Sequence, residues 1–239
     1  MLLIQASTNP ALLIQNRFLS DLQGDNQKRI LIDVLKEGPS SKMKEVCNHA
    51  RDLALEGKKV VIWSSFVKTI EETTLLLQDL GARFIHGGID NSLNPEIPNT
   101  RKSIINDFHN DDDFMVLVAN PASCAEGISL HKAANNAIYL DRTYTLTNYL
   151  QSIDRIHRLG LDRNTDTNVF IYKTSGTIDQ KIDESLQEKE KAMEKFMNIK
   201  KLEDIRECDY DVVEDEENME NSQYNEITNE DIKSWTSKR

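Results

Sequence analysis

Two arginines near the middle of the chain have the chemistry and the spacing to act on phosphate. Arg155 and Arg158 lie in the segment QSIDRIHRLG, residues 151–160, together with Gln151. The spacing i, i+4 and i+7 places these three side chains on one stripe of a predicted helix. A guanidinium group is planar, permanently charged and forked, which suits it to phosphate oxygens and to the charge that develops on a transferring phosphoryl group. We therefore predict a helix that presents arginine fingers.

The opposite side of this predicted helix is apolar. It carries Leu146, Tyr149, Leu150, Ile153 and Ile156. The helix can therefore pack through that side while the arginines project outward. A simpler interpretation is an ordinary solvated face, in which Arg158 pairs with Asp154 four residues earlier. The sequence around the helix has to distinguish the arginine-finger interpretation from the solvated-face interpretation.

The composition is that of a globular chain whose acidic charge is concentrated at one end. With 239 residues, 38% of them hydrophobic, the chain can bury the core of one large domain with an appendage. Of its 40 acidic residues 13 lie from residue 201 onward, but only five of its 29 basic residues do, so that end carries −8 of the net charge of −11. The nearly neutral remainder neither supports nor excludes a basic groove for nucleic acid.

The cysteines and histidines predict neither a disulfide framework nor a metal site. Cys47, Cys124 and Cys208 are odd in number and widely spaced, and the five histidines show no metal-ligand spacing. No basic leader precedes Asn9-Pro10, and no apolar run is long enough to cross a bilayer. We expect a soluble protein inside the cell that does not bind membranes.

Short β-rich runs alternate with amphipathic helices through most of the chain. Helices are predicted for residues 1–37 and 40–56, before the alternation begins, and later at 69–80, 101–109 and 177–200. The predicted strands are residues 58–63, 83–86, 114–119, 137–140 and 169–172. This alternation predicts an α/β fold with a parallel sheet and helices on both faces. In such sheets ligands bind at the carboxyl ends of the strands.

A polar or glycine-containing cluster follows each of the first four predicted strands, and the order of these clusters resembles one protein family. Over about residues 2–195 the sequence resembles the second, C-terminal RecA-like lobe of a helicase-superfamily-two motor, of the Swi/Snf-related class of DNA-dependent ATPases. QSIDRIHRLG resembles the sixth motif of that family, Q-x-x-D-R-x-H-R-x-G. AEGISL, residues 125–130, resembles the fifth motif, and KVVIWSSF, residues 59–66, the fourth. TIDQKIDESLQEK, residues 177–189, is similar to the brace helix that follows the lobe.

The resemblance implies a three-layer RecA-like sheet of the P-loop NTPase type. It divides the chain into a helical lead-in from a first lobe (1–39), the second lobe (40–175), a brace helix (176–200) and an acidic, flexible tail (201–239). It also implies a translocase on double-stranded DNA. In such a motor, ATP and Mg²⁺ are bound mainly by a first lobe of the same full-length protein. The sequence contains neither G-x-x-x-x-G-K-[ST] nor D-E-x-H, so we expect the chain alone to hydrolyse ATP negligibly. We also expect it to be monomeric.

The resemblance assigns roles to individual residues. Arg155 and Arg158 would act as arginine fingers on the γ-phosphate, and Gln151 would orient them. Glu126 and Gly127 would line the same cleft. Contacts with the phosphate backbone of DNA are implied for Ser64, Ser65, Gly87, Gly88, Arg101 and Ser123. Such contacts carry no sequence information, so the motor would track duplex DNA of any sequence.

The sequence departs from the family pattern after the third predicted strand. Pro121 stands where a phosphate-contacting Thr or Ser is usual, and Ser123 could compensate for it. Cys124 and Ala125 stand where two glycines are usual. Arg101 begins a predicted helix, and a structural ion pair explains an arginine there as well as a DNA contact does.

Two other functions remain open from the sequence. One is a non-catalytic interaction module that kept the RecA-like fold and recruits partners through its acidic tail, although two outward arginines argue against it. The other is an RNA helicase lobe, whose sixth motif typically continues H-R-x-G-R-x-x-R, unlike HRLGLDR at residues 157–163. The expected location is nuclear if the source is eukaryotic, and cytoplasmic with the nucleoid if it is a prokaryote or a phage.

Overall fold

Five parallel strands form the centre of the fold. The computed structural model describes residues 1–15, 29, 32–34, 36–90, 92, 97–124, 129–157 and 167–203. Its strands are β1 (Val60–Trp63), β2 (Arg83–Ile85), β3 (Val116–Ala119), β4 (Asn136–Tyr139) and β5 (Asn168–Ile171). They pair in the order β2-β3-β1-β4-β5, and every pairing is parallel. The five predicted strands are confirmed, with ends that shift by one or two residues.

Helices precede, connect and follow these strands. In the described part of the chain, the helices with both ends defined are α1 (Leu2–Thr8), α2 (Leu12–Gln15), α3 (Ser41–Leu55), α4 (Val67–Leu76), α5 (Arg101–Asn110), α6 (Leu146–Asp154) and α7 (Ile178–Glu203). Short 3₁₀ turns lie at Gln78–Leu80 and Ala122–Cys124. Local chemistry sets several ends. The Ser40 hydroxyl accepts the Met43 amide and caps α3, whereas Thr100 and Ser103 form a reciprocal capping box at α5. The predicted helices at 40–56, 69–80, 101–109 and 177–200 are thus confirmed with small shifts of their ends.

The sheet is buried on both faces, which makes the fold three-layered. Successive side chains of a strand point to opposite faces, so Val61 and Trp63 belong to one core cluster whereas Val60 and Ile62 belong to the other. The first cluster includes residues of α5 and side chains from α6 pack against it, and the second cluster includes residues of α3 and α4. All four side chains of β1 are fully buried. Such continuous burial is expected for the central strand of a parallel sheet.

Met1–Leu186 forms one compact unit, and Gln187–Arg239 forms a second. Within the first unit, α1 is tied down by hydrogen bonds: the Ser40 hydroxyl donates to the carbonyl of Thr8 at 2.6 Å. In the second unit the described residues are 187–203, which are helical. The acidic end predicted at 201–239 lies almost entirely outside the described residues. Among the helices that are described, none has both the length and the apolar character needed to span a membrane.

Candidate nucleotide- and DNA-facing edge

The carboxyl ends of three adjacent strands surround an open cavity of about 190 Å³. Ser65 lines it after β1, Pro121 after β3, and Asp141 and Arg142 after β4. Tyr149 of α6 contributes a further side of the wall. This is the edge at which parallel α/β sheets bind ligands. Several of the residues singled out from the sequence therefore lie at the expected end of the sheet.

Asp141 is a buried carboxylate that joins the ends of β1 and β4. The Ser64 hydroxyl donates to its Oδ2 at 2.5 Å, and the Ser65 amide donates to its Oδ1 at 2.8 Å. Burial raises the pKa of Asp141, and the hydrogen bonds from Ser64 and Ser65 lower it only in part. Because the Ser64 side chain is fully buried and donates to Asp141, it is not available to DNA. The prediction for Ser64 is therefore corrected to a structural role, while the half-buried Ser65 stays a candidate.

The turn after β2 meets the 3₁₀ turn after β3. Gly87 is exposed, and a Cβ atom added to it would lie 3.8 Å from the Ser123 hydroxyl. Two of the residues predicted to contact DNA are thus brought together, because β2 and β3 are neighbours. The amide of Gly88 instead donates to Nδ1 of His86 at 3.0 Å. The expectation that this amide is offered to a DNA phosphate is therefore corrected: His86 already accepts it.

Burial raises the pKa of the Cys124 thiol to about 12, and the positive charges of Arg101 and Arg155 both lower it only in part. Arg101 begins α5 and is half-buried, and its amide donates to the carbonyl of Asp90 at 2.9 Å. Among the described residues Arg101 forms no salt bridge. The ion-pair interpretation of Arg101 therefore finds no support in that part of the chain.

Arg155 lies at the end of α6, with Gln151 in its last turn. The helix ends at Asp154, so it is shorter than the predicted helix, which was to carry Gln151, Arg155 and Arg158 on one stripe. Arg155 caps it with helical dihedral angles, which keeps the i, i+4 relation to Gln151. Its carbonyl accepts the amide of Leu130 at 2.9 Å, so the backbone there is held by the segment before β4. The side chains of Gln151 and Arg155 are both half-buried.

The apolar side of α6 packs as predicted. Ile156 is fully buried in the core, and Tyr149 and Ile153 pack against the same cluster. Tyr149 also makes an edge-to-face contact with the ring of Tyr139, at 5.1 Å between centroids. These contacts fix the helix on the core, and because the Nε atom of Arg155 is buried, its side chain does not project fully outward as predicted. Three predicted site residues, Arg158, Glu126 and Gly127, lie outside the described residues.

A second charged cluster at this edge includes Arg142, which belongs to the polar cluster predicted after the fourth strand but was assigned no role from the sequence. Arg142 follows Asp141 at the end of β4, and its guanidinium donates to Asp183 of α7. Lys173 donates to the other oxygen of that carboxylate at 2.5 Å. Burial raises the pKa of Asp183, but the hydrogen bonds from Lys173 and Arg142 outweigh it, so the pKa lies below its ordinary value. The position of Arg142 directly after a strand was the signal that could have revealed it.

Another buried ion pair holds the start of α7 against α3. Lys42 lies 2.7 Å from Asp179, and both side chains are about nineteen-twentieths buried. The hydroxyl of Ser7 and the amide of Thr174 also donate to Asp179.

In the described part of the chain, no group of three or more His, Cys, Asp or Glu side chains could hold a metal ion.

Comparisons with known proteins place the chain in a family. Residues 41–160, just over half of the chain, match the helicase conserved C-terminal domain. The ATP-dependent helicase FUN30 of Saccharomyces cerevisiae is 29% identical over 160 residues, which are 66% of this chain and 13% of that protein. The chromatin-remodeling ATPase INO80 of the same yeast is 24% identical over 188 residues, which are 78% of this chain and 12% of that protein.

A solved structure agrees with the sequence relatives. The crystal structure of the C-terminal part of the Fun30 ATPase domain superposes with a TM-score of 0.51 at 25% identity, over 62% of this chain and 45% of that chain. The predicted RecA-like fold and the resemblance to the C-terminal lobe of Swi/Snf-related ATPases are thereby confirmed. The chain spans only 12% to 13% of the length of the two curated relatives. It belongs to the helicase conserved C-terminal domain family.

Proposed function

We propose that this chain is the second motor lobe of an ATP-dependent translocase on double-stranded DNA, with Arg155 as an arginine finger. The single observation that carries the proposal is the position of Arg155. It caps α6, which contains the first four residues of the sixth-motif sequence, and its half-buried side chain lies beside Cys124, in the core cluster on which Tyr149 and Ile153 also pack. Two relatives are named as an ATP-dependent helicase and a chromatin-remodeling ATPase, which supports the use of ATP.

In this mechanism ATP lies between two lobes, and its Mg²⁺ is held mainly by the first. The guanidinium groups of Arg155 and, from the sequence, Arg158 contact the γ-phosphate across the cleft. Their positive charge offsets the negative charge that the transferring phosphoryl group gains in the transition state, a role worth on the order of a thousandfold or more in rate. Gln151, one turn before Arg155, orients this group, and Glu126 and Gly127 line the cleft. The chain alone is therefore inactive.

The DNA-facing part of the proposal rests on residues at the ends of β1, β2 and β3. Ser65, Gly87 and Ser123 lie at these strand ends, and the last two approach each other closely. Hydroxyls and backbone amides can donate to phosphate oxygens, and contacts with phosphate carry no sequence information, so the lobe follows DNA of any sequence. Arg101 adds a positive charge beside Cys124, close to the same turn. Binding should weaken steeply as salt is raised.

The remaining parts of the chain follow the same proposal. Residues 1–39 lead in from the first lobe, residues 40–175 form the second lobe, and residues 176–200 act as a brace helix. The tail at 201–239 stays an acidic appendage. Because both reported relatives come from a eukaryote, we place the full-length protein in the nucleus.

The test combines the chain with a separately expressed first RecA-like lobe that carries a phosphate-binding loop. ATP hydrolysis is measured without nucleic acid, with duplex DNA and with RNA. We expect hydrolysis only when both lobes are present, stimulated more by duplex DNA than by RNA, and lost in Arg155→Ala and in Arg158→Ala. Arg51→Ala is the matched control, because Arg51 forms a surface salt bridge with Asp79 at 3.3 Å.

Each alternative has its own outcome in this experiment. Stronger stimulation by RNA would identify an RNA helicase lobe. Two folded lobes that show no hydrolysis in any combination would favour the interaction module. Equal activity of Arg155→Ala and Arg51→Ala would refute the arginine finger.

A further inference from the structure

One buried arginine contacts two helices that the proposed function uses. Arg142 follows β4, and its side chain is only 7% exposed. Its Nη2 donates to Asp183 in the second turn of α7, and the carbon of its guanidinium lies 5.2 Å from the ring centroid of Tyr149 in α6. A single side chain therefore joins the helix that carries Gln151 and Arg155 to the first turns of α7.

The contact with Tyr149 is well placed to hold the end of α6. Tyr149 lies six residues before Arg155, and its ring packs on Tyr139. The hydroxyl of Tyr139 is in turn hydrogen-bonded to Ser152 of α6 at 2.6 Å. These contacts align one side of the helix on β4, and Arg142 extends the alignment to α7.

The contact with Asp183 does not depend on Arg142 alone. Lys173 donates to the same carboxylate from a half-exposed position, with 42% of its side chain exposed. The Lys42 and Asp179 pair is a second anchor for the start of α7. Removal of Arg142 therefore leaves Asp183 paired with Lys173 and α7 anchored through Asp179, but it removes the contact of Arg142 with Tyr149 of α6.

We propose that Arg142 is a positioning residue, which fixes the arginine-bearing helix α6 relative to the first turns of α7. A guanidinium suits this position, because it donates to a carboxylate while its positive charge lies over an aromatic ring. A lysine ammonium is a compact charge without this planar fork, so it is expected to make the two contacts together less well. The effect of Arg142 on ATP hydrolysis rests on the proposed role of Arg155, but the connection between the two helices does not.

Amide hydrogen exchange on the chain itself tests the connection. Arg142→Met and Lys173→Met each remove one cation from Asp183, and Arg142 is the one whose guanidinium lies over the ring of Tyr149 in α6. We expect exchange at residues 150–155 to become about tenfold faster in Arg142→Met, because the variant loses the cation–π contact with Tyr149 that links α6 to α7. It should stay unchanged in Lys173→Met. Equal changes in the two variants, or no change in either, would overturn the proposal.

Two further variants keep the test decisive if Arg142→Met folds poorly. Arg142→Lys preserves the positive charge but loses the stacking geometry, so it should show the same faster exchange in α6. Tyr149→Leu removes the ring and leaves the ion pair with Asp183 intact. If both variants exchange like the wild-type chain, the connection through Arg142 does not exist.

ATP hydrolysis with the first lobe tests the consequence for the motor. Arg142→Met and Arg142→Lys should lower kcat by about tenfold or more, without a change in the KM for ATP or in DNA affinity, because the finger is misplaced only at the chemical step. Lys173→Met should retain the wild-type kcat. An inactive wild-type pair would refute the motor, while hydrogen exchange would still decide the connection. A loss of activity in Arg155→Ala with an unchanged kcat in Arg142→Met would refute this inference alone.

Discussion

Removal of the Ser64 hydroxyl should destabilise the fold in a way that depends on the charge of Asp141. Ser64 is fully buried, Asp141 is 2% exposed, and the hydroxyl donates to the carboxylate at 2.5 Å. A hydrogen bond to a charged group contributes about 1.5–3 kcal/mol, compared with about 1 kcal/mol between neutral groups. We therefore expect Ser64→Ala to lower the free energy of unfolding by about 2–3 kcal/mol when Asp141 is ionised.

The same variant has a predicted pH dependence. The pKa of Asp141 is raised in the folded chain, so its stabilising contribution is present below its unfolded pKa, near the ordinary value of 3.8, and is lost as the pH rises through the folded pKa. Ser64→Ala raises the folded pKa further, because it removes a bond that favours the charged form. The stability difference between Ser64→Ala and the wild type should therefore grow with pH.

Urea unfolding of the wild type and Ser64→Ala, between about pH 4 and about pH 8, measures this difference. Asp141→Asn provides the matched background, since a neutral amide accepts and donates at the same place without a charge. In that background Ser64→Ala should cost only about 1 kcal/mol at every pH. A loss that is the same at both ends of the pH range, or that persists in full in the Asp141→Asn background, would refute the reasoning.

Two more predictions concern stability and reactivity. In thermal unfolding, Gly81→Ala should lower the free energy of unfolding by about 1–3 kcal/mol more than Gly57→Ala does. Both glycines have positive φ, but only at Gly81 would the new Cβ clash, 2.2 Å from the carbonyl oxygen of Asp113. Equal losses of stability in the two variants would contradict this prediction. Burial raises the pKa of Cys47 to about 11 and that of Cys124 to about 12. Both thiols should therefore resist alkylation at about pH 8, as followed by mass spectrometry, until the chain is unfolded. Rapid labelling of either thiol in the folded chain would contradict this prediction.

Much of the fold could be predicted from the sequence because the sheet is buried on both faces. Continuous apolar runs such as VVIW at residues 60–63 are typical of central parallel strands, and glycines such as Gly81 mark the ends of the helices between them. The predicted ends of the strands differ from the observed ends by one or two residues. Hydrogen bonding between strands, rather than residue type, determines where the pairing stops. The edge that carries the site then follows from the parallel topology.

The detailed geometry of the site could not be predicted, because it depends on contacts between distant residues. Ser64 was expected to face DNA, but Asp141, 77 residues later, accepts its hydroxyl. The position of Arg142 after a strand places it at the site, but its ion pair with Asp183 spans 41 residues, and nothing local in the sequence indicates that partner. The end of α6 likewise depends on the amide of Leu130, which lies outside the helix. Residue types located the cluster, and tertiary contacts determined which groups stay available.

The most direct test of the central claim is single-turnover hydrolysis by the two-lobe combination with saturating ATP and duplex DNA. The comparison is between the wild type, Arg155→Lys and Arg155→Ala. An arginine finger predicts that the hydrolysis rate falls by on the order of a thousandfold in Arg155→Ala, with little recovery in Arg155→Lys, while ATP still binds. A wild-type hydrolysis rate in Arg155→Ala, or a loss that is entirely a loss of ATP binding, would contradict the account.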